Sequence, residues 1–331
     1  MKQQCIQVDK KKGESVRKVL MENGALDTSV RIVSDESYIY IPLISAVDLK
    51  DLLFEDLQVT EHDFKVHEKP ATLESILGHI PRYEVIGNIA LLESDEGDLE
   101  TTAAALLKVQ PHLHTVLSAL SPVEGEFRTR RFTFVKGENT TQTVHREYSC
   151  KYAIDMEKAY FTPRLATERS RILEQVKDGE VIVDMFAGVG PFSILIAKGR
   201  PSCRVVAIDK NPEAVKFLRH NIELNAVSNV EAVEGDAKEE AQRYIGVADH
   251  IIMNLPHTAQ EFLGAAIVIA KPGTVIHYYD ITPESDLYST SLGHIESAAS
   301  KAGFAVELIG TRIVRSYSPH QFNVCIEVKL Y

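Results

Sequence analysis

The run Asp184-Met185-Phe186-Ala187-Gly188-Val189-Gly190 holds a carboxylate and two glycines two residues apart, and Pro191 follows it. Gly188 and Gly190 let the backbone take positive φ and come close to a ligand, and Pro191 suits the first position of a helix. Asp209 ends the next apolar run, 21 residues after Gly188. An acid there can accept both hydroxyls of a ribose. Together these features point to a nucleoside cofactor in a strand–loop–helix turn. A dinucleotide loop wants a third glycine where this chain has Ser193, and Asp184 would face a pyrophosphate with like charge. The loop suits S-adenosylmethionine, which has no phosphate and carries an ammonium and a sulfonium. Phe186 and Ala187 complete the candidate cofactor loop. Asp236, after a third apolar run, is placed either to reach the adenine amino group or to cap a helix.

A fourth apolar run ends in Asn254-Leu255-Pro256-His257. The C-terminal end of a strand beside the switch point of a doubly wound sheet is where substrate chemistry sits. Asn254 offers an amide and backbone carbonyls, and Pro256 fixes their direction. Many adenosylmethionine enzymes that methylate ring or amino nitrogens of bases carry a similar motif here. No cysteine lies near it, which disfavours methylation at pyrimidine C5, where a thiolate nucleophile is needed. His257 and the pair His145-Arg146 receive no catalytic role.

The elements that must carry these residues follow from periodicity. Strands are expected at 181–186, 204–209, 230–235, 250–255 and 274–279, with helices at 167–176, 191–198, 212–225, 237–244 and 258–270. Such alternation with short loops means a doubly wound, mostly parallel α/β sheet. Runs 305–313 and 321–330 suggest an antiparallel hairpin at its edge. Before it, 14–24 reads as a helix stopped by Gly24, and 38–42 as a strand. Strand material appears at 83–92 with a Gly-Asn interruption, at 127–135, 143–148 and 152–155, and a helix at 99–109. The polar segment 65–72, with Pro70, reads as a linker. The expected domains are a small α+β unit at 1–65, a second α+β unit at 70–165, and an α/β domain at 166–331.

Composition limits the function. The 331 residues are 44% hydrophobic and 25% charged, as in folded globular proteins. No stretch reaches the roughly 18 apolar residues of a membrane span, and the first residues lack the apolar core of a secretory signal. Cys5, Cys150, Cys203 and Cys325 lie far apart with no C-x-x-C. A disulfide framework and a cysteine zinc site are therefore not expected, no carboxylate cluster marks another metal, and the cytoplasm is the expected compartment. The formal net charge is -11, which is not the footprint of a nucleic-acid binder. Its distribution is uneven: +4 over 1–20, -12 over 21–120, +2 over 121–175 and -5 over 176–331. The segment 121–175 is the one long stretch that escapes the acidity, a candidate docking surface for an anion.

Four blocks together carry a resemblance. They are Gly125-Glu126-Phe127-Arg128-Thr129-Arg130, Tyr160-Phe161-Thr162-Pro163-Arg164-Leu165-Ala166-Thr167-Glu168-Arg169, 183–192 and 253–256. With 277–279 and 313–319 they resemble the archaeal and eukaryotic type of tRNA (guanine-37 N1)-methyltransferase. The likeness covers about 120–331 and extends more loosely over 1–120. It implies a class I, Rossmann-like S-adenosylmethionine methyltransferase domain. It also implies methyl transfer to N1 of the guanosine 3′ of the anticodon. That nitrogen carries a proton, so a base must remove it and something must hold the charge moving onto O6. By position, Glu168 matches the base, Arg128 the group at O6, Asn254 the amide on the guanine edge, and Tyr160 the aromatic beside the flipped base. Pro256 completes that catalytic set. Arg130, Arg164 and Arg169 are expected on RNA phosphates, with Arg164 and Arg169 alternatively orienting Glu168. Lys10, Lys11 and Lys12 are the candidate tRNA contacts of the front unit. The implied partner is a tRNA with guanosine at position 37, bound by a monomer. The closest rival is methyl or aminocarboxypropyl transfer to a wyosine precursor at the same position.

Overall fold

The computed structural model describes residues 1–44, 57–66, 71–93, 97–121 and 125–331. The chain divides into two compact units, Met1–Thr72 and Leu73–Tyr331. Residues 67–70 of the expected linker lie outside the described residues.

In the first unit, Lys2–Asp9 pairs antiparallel with Tyr38–Pro42 on one side and Gln58–Asp63 on the other, and Val33–Ser34 extends the sheet. The helix Gly13–Glu22 buries Val16 and Leu20 in one cluster with Ile6, Val8 and Ile41. Gly24, at φ 64°, takes the left-handed conformation that closes many helices. Lys10, Lys11 and Lys12 are exposed on the turn that enters this helix. They crowd its positive end, where cations are disfavoured.

The second unit opens with the short helix Leu73–Leu77, followed by a hairpin, Tyr83–Ile86 and Ile89–Leu92, turned at Gly87-Asn88. Thr115–Ala119 and Phe132–Gly137 complete a four-stranded sheet whose apolar face is clustered with the helix Leu99–Val109. The strand expected from 127 begins only at Phe132. Arg128 stands at φ 53° in a turn, its N–H donating to the Gly125 carbonyl at 3.1 Å. A left-handed residue cannot continue a strand.

The large sheet has seven strands. Val181–Asp184 is flanked by Arg204–Asp209 and then Val230–Glu234 on one side, and by Ala248–Met253 and then Ala270–Pro283 on the other, all parallel. Gln321–Leu330 joins antiparallel, and Val306–Ser318 forms the edge of the expected hairpin. The inner strands 181–184, 204–209 and 248–253 read as apolar runs because they are buried on both faces. The helix Ser289–Lys301 was not among the expected elements. Its Ile295 and Ala299 are fully buried in the core beside the sheet.

The hairpin Gln142–Glu147 and Cys150–Asp155 belongs to the same unit, and the chemistry of two asparagines explains why. Asn221, on the helix Pro212–Leu224, accepts from the Ala153 N–H at 2.7 Å and donates to the Ala153 carbonyl at 3.0 Å. It also donates to the Val189 carbonyl in the glycine loop at 3.0 Å. Asn225 holds Lys151 in the same two-way manner, at 2.8 and 2.6 Å. Side-chain amides thus pair the free edge of a strand and fasten it to the cofactor loop.

Candidate active site

The reversal point of a doubly wound sheet lies at the C-terminal ends of its first and fourth strands. There the chain forms a cavity lined by Arg128, Tyr160, Phe186, Gly188, Asp209 and Asn254, with Asp236 and Phe262 farther along. Residues from four sequence blocks therefore meet in one place. A larger open groove of about 710 Å³, with His112, His145 and His220 on its walls, contains none of them.

The glycines divide their work. Gly188, at φ 56°, lines the cavity, and a Cβ there would meet nothing nearer than the Tyr160 carbonyl at 3.6 Å. Gly190, at φ 88°, is a packing requirement, since a Cβ would stand 2.4 Å from Leu218 Cδ1. Pro191 opens the helix Pro191–Gly199.

Asp184 is fully buried, and burial pushes its carboxyl up to about 7 against the hydrogen bond from Ser193. Its Oδ1 has no hydrogen-bond partner among the described residues. A buried acceptor left without a donor fits a ligand that brings a positively charged donor. Asp209 Oδ2 accepts from the Gly188 N–H at 2.6 Å, and burial raises its carboxyl too. Asp236 is the helix cap that was one of its two expected roles. It lines the cavity, and its side chain accepts from the Lys238 N–H at 2.9 Å as a helix cap. Asp209 and Asp236 line the cavity beside Lys210, Asp184 is buried and not on its wall, and the glycine run carries no basic residue; this set suits a nucleoside with a cationic end such as S-adenosylmethionine. Ala187 is buried in the hydrophobic cluster beside the loop, and its N–H donates to Ile208 O at 2.8 Å. Its contribution is to hold the loop.

The five candidates for the base-side chemistry separate four to one. Arg128 stacks on Tyr160, its guanidinium carbon 5.1 Å from the ring centre, and donates to the Pro256 carbonyl at 3.4 Å. Asn254 lines the same cavity. Glu168 lies elsewhere. It is 2% exposed and lines neither this cavity nor the neighbouring cleft. It accepts from Arg171 Nη2 at 2.5 Å and Tyr279 Oη at 2.8 Å, with Arg312 Nε at 3.5 Å.

A second cleft, of about 450 Å³, shares Arg128 and Tyr160 with the first and adds Arg130, Arg164, Arg315 and Tyr317. Arg164 makes a two-pronged pair with Glu84 at 2.9 and 3.2 Å, and Arg130 donates to the Ser121 carbonyl at 3.1 Å. Arg315 and Tyr317 were missed as site residues, although they stand in the run 313–319 that carries the resemblance. The buried Nε of Arg315 has no hydrogen-bond partner among the described residues.

Arg169 departs from expectation. It is 1% exposed, grips Glu147 through two hydrogen bonds of 2.7 and 2.5 Å, and donates to the Thr162 carbonyl. A guanidinium so enclosed is not on a phosphate-binding surface. It fixes the 160–164 segment that presents Tyr160 and Arg164. His257 is a further finding, since it takes φ 82° straight after Pro256 and packs edge-on against Tyr317 at 5.5 Å. Left-handed backbone at a histidine is strain that gathers at functional sites.

Sequence and fold are both shared with known proteins. A family model described as the TRM5/TYW2 methyltransferase domain matches residues 143–309, and one described as the tRNA methyltransferase 5 N-terminal domain matches 5–51. A Pyrococcus abyssi protein named tRNA (guanine(37)-N(1))-methyltransferase Trm5b is 40% identical over 98% of both chains. A structure titled the complex of aTrm5 and tRNALeu superposes with TM-score 0.81 at 32% identity, covering 98% of this chain and 99% of that one. A Methanocaldococcus jannaschii TYW2 structure in complex with AdoMet reaches TM-score 0.61 at 27% identity. It is covered over 99% of its length by 75% of this chain. Among the described residues no helix is long and apolar enough to cross a membrane, and no group of three or more metal-ligating side chains occurs.

Proposed function

The chain belongs to the TRM5/TYW2 methyltransferase family, and from that premise we infer that it transfers a methyl group from S-adenosylmethionine to N1 of guanosine 37 in tRNA. The observation that carries the reading is the meeting of Arg128, Tyr160, Asn254 and the Pro256 carbonyl at the mouth of the nucleoside cavity. The front unit favours this activity over its wyosine-directed rival. The N-terminal model of tRNA methyltransferase 5 matches within it, whereas the TYW2 structure leaves a quarter of this chain uncovered.

Bound S-adenosylmethionine supplies an electrophilic methyl on a sulfonium. Asp184, beside the glycine loop, supplies the counter-charge for its ammonium, and Asp209 the acceptor for its ribose. Stacking on Tyr160 holds the Arg128 guanidinium in the cavity mouth, where it stabilises the negative charge that moves onto O6 as N1 loses its proton. Asn254 holds the guanine edge, and the rigid Pro256 keeps its backbone direction. Glu168 takes the proton, directly or through one water, once RNA engages the arginine cleft. Without RNA, Glu168 is buried and lines neither cleft, so the role requires RNA binding to bring it within reach of N1. The anticodon-loop backbone lies along Arg130, Arg164 and Arg315, and Lys10, Lys11 and Lys12 are the front unit's contacts with the tRNA. The enzyme works as a monomer in the cytoplasm.

The test is methyl transfer from labelled S-adenosylmethionine to unmodified transcripts carrying G or A at position 37, with nucleoside mass analysis. A 1-methylguanosine product from G37 transcripts alone is expected. An aminocarboxypropyl product, or activity on a wyosine precursor alone, would move the assignment to the rival.

A further inference from the structure

A tight turn joins the cofactor side of the cavity to its substrate side. Gly125, at φ 70°, and Arg128, at φ 53°, stand at its ends, and the Arg128 N–H closes it on the Gly125 carbonyl at 3.1 Å. Glu126, Phe127 and Arg128 all line the cavity. On the substrate side the turn is held by Arg128, which stacks on Tyr160 and donates to the Pro256 carbonyl. On the cofactor side it is held by Glu126, whose Oε1 lies 2.6 Å from Lys210 Nζ. The same ammonium lies 3.2 Å from Asp236 Oδ2. Methyl transfer as described above uses neither Glu126 nor Lys210.

The charge of Lys210 is out of place for a cofactor contact. It lines a cavity suited to a cationic nucleoside, where a bare ammonium would repel the ligand. Glu126 and Asp236 neutralise it, which leaves it to bridge the two. Its place in the chain makes the bridge useful. Lys210 directly follows Asp209 at the end of the strand Arg204–Asp209, and Asp236 lies just beyond the strand Val230–Glu234. These two strands are paired in the parallel sheet. Asp209 in turn accepts from the Gly188 N–H. The turn is thereby fastened to the strand ends that carry two of the cavity's acids. Residues 125–128 lie outside any strand or helix. No ladder holds such a turn, so a side-chain tie decides how often its arginine stands in place.

We propose that Lys210, acting through Glu126, positions Arg128 in the cavity mouth for the charge that moves onto O6. The proposal rests on Arg128 being the group that holds that charge. Lys210 and Glu126 are positioning residues, since both act through Arg128. Their pair is open to solvent, with the Glu126 side chain 62% and that of Lys210 50% exposed. Exposed pairs are weak, so this one adds little to the stability of the fold. Positioning asks less of it. A several-fold change in the fraction of molecules with Arg128 in place passes directly into the rate of the chemical step. Substrate affinities, set by other contacts, change little.

Single-turnover methylation of a G37 transcript, with cofactor and tRNA saturating, reads the effect. Lys210→Met is expected to slow it about two- to fivefold, the range of an exposed ion pair, with KM for tRNA within about twofold of the natural value. Lys210→Glu sets like charges opposite each other and is expected to slow it about tenfold. Glu126→Lys added to Lys210→Glu restores the pair with its charges exchanged, and is expected to bring the rate back to within about twofold. Hydrogen–deuterium exchange of the segment 125–128 in the whole protein is expected to quicken in Lys210→Glu and to slow again in the exchanged pair. An exchanged pair no faster than Lys210→Glu alone, or a Lys210→Glu rate equal to the natural one, overturns the proposal. Arg128→Ala run alongside separates the two readings. If it keeps the natural rate, the assignment of Arg128 to O6 fails, while hydrogen exchange still decides whether Lys210 holds the turn. If Arg128→Ala is slow and the Lys210 variants are not, the positioning role alone fails.

Discussion

Replacing Asp184 by Asn should make the free enzyme more stable and its cofactor binding weaker. Burial lifts this carboxyl from its ordinary 3.8 to about 7. A raised folded value means that the protonated form is the stabilising one. That stability is complete below about pH 4 and is lost as pH rises through 7. Three units at about 1.4 kcal/mol each set an upper bound of about 4 kcal/mol for the cost of the ionised carboxylate at pH 8. Asparagine removes that charge but leaves an amide donor where Oδ1 already lacks a partner, which gives back about 1–3 kcal/mol. The net gain is about 1–3 kcal/mol, or several degrees in Tm at roughly 2–4 °C per kcal/mol for a unit of this size. The natural enzyme should bind S-adenosylmethionine about tenfold more weakly at pH 6 than at pH 8, because the ammonium needs the ionised acid. The variant should lose that dependence together with the affinity. Thermal unfolding at pH 5 and pH 8 and calorimetric titration of the cofactor read both quantities. A variant less stable at pH 8, or one binding as tightly as the natural protein, would refute the assignment of Asp184 as a strained counter-ion.

Other outcomes follow from the site. Glu168→Gln should leave cofactor binding intact and lower single-turnover methylation by roughly 10²–10⁴-fold; an unchanged rate dismisses Glu168 as the base. Arg128→Ala should lower turnover with little change in cofactor affinity, and a weakened cofactor Kd instead would mean that the stack on Tyr160 shapes the cavity. Arg315→Ala should weaken tRNA binding and reduce the slope of log affinity against log salt by about one; the same slope as the natural enzyme removes Arg315 from the phosphate contacts. Arg169→Ala should destabilise the fold by about 3–5 kcal/mol, because Glu147 is left buried without its partner, and urea unfolding would measure it.

Legibility in the sequence followed the range of the interactions. The strands at 181–184 and 204–209 were readable because a parallel strand buried on both faces is a short apolar run. The glycine loop was readable because its ligand-binding geometry is made by neighbours in sequence. The helix Ser289–Lys301 escaped because serine, threonine and glycine outnumber its apolar stripe, so packing against the sheet rather than propensity makes it. The start of the strand at Phe132 depended on the left-handed turn at Arg128, which no periodicity announces. The role of Arg169 depended on Glu147, on a hairpin 22 residues away. From sequence, a buried arginine and an RNA-facing one look alike.

Net charge is the remaining conflict, and distance resolves it. A surplus of eleven negative charges would oppose a polyanion if every charge were felt equally at the site. At physiological ionic strength exposed charges are largely screened beyond about 8 Å. The approaching phosphate therefore answers to what lines the cleft. There Arg128, Arg130, Arg164 and Arg315 meet two carboxylates, Glu84 and Glu93, and Glu84 is already tied to Arg164. The cleft is positive within a screening length even though the chain as a whole is acidic. The acidic remainder acts within the same screening length, on the parts of a nucleic acid that meet the surface outside the cleft. Adding salt should weaken binding to the cleft while relieving that repulsion, so specific tRNA binding should fall less steeply with salt than a count of the cleft arginines alone predicts.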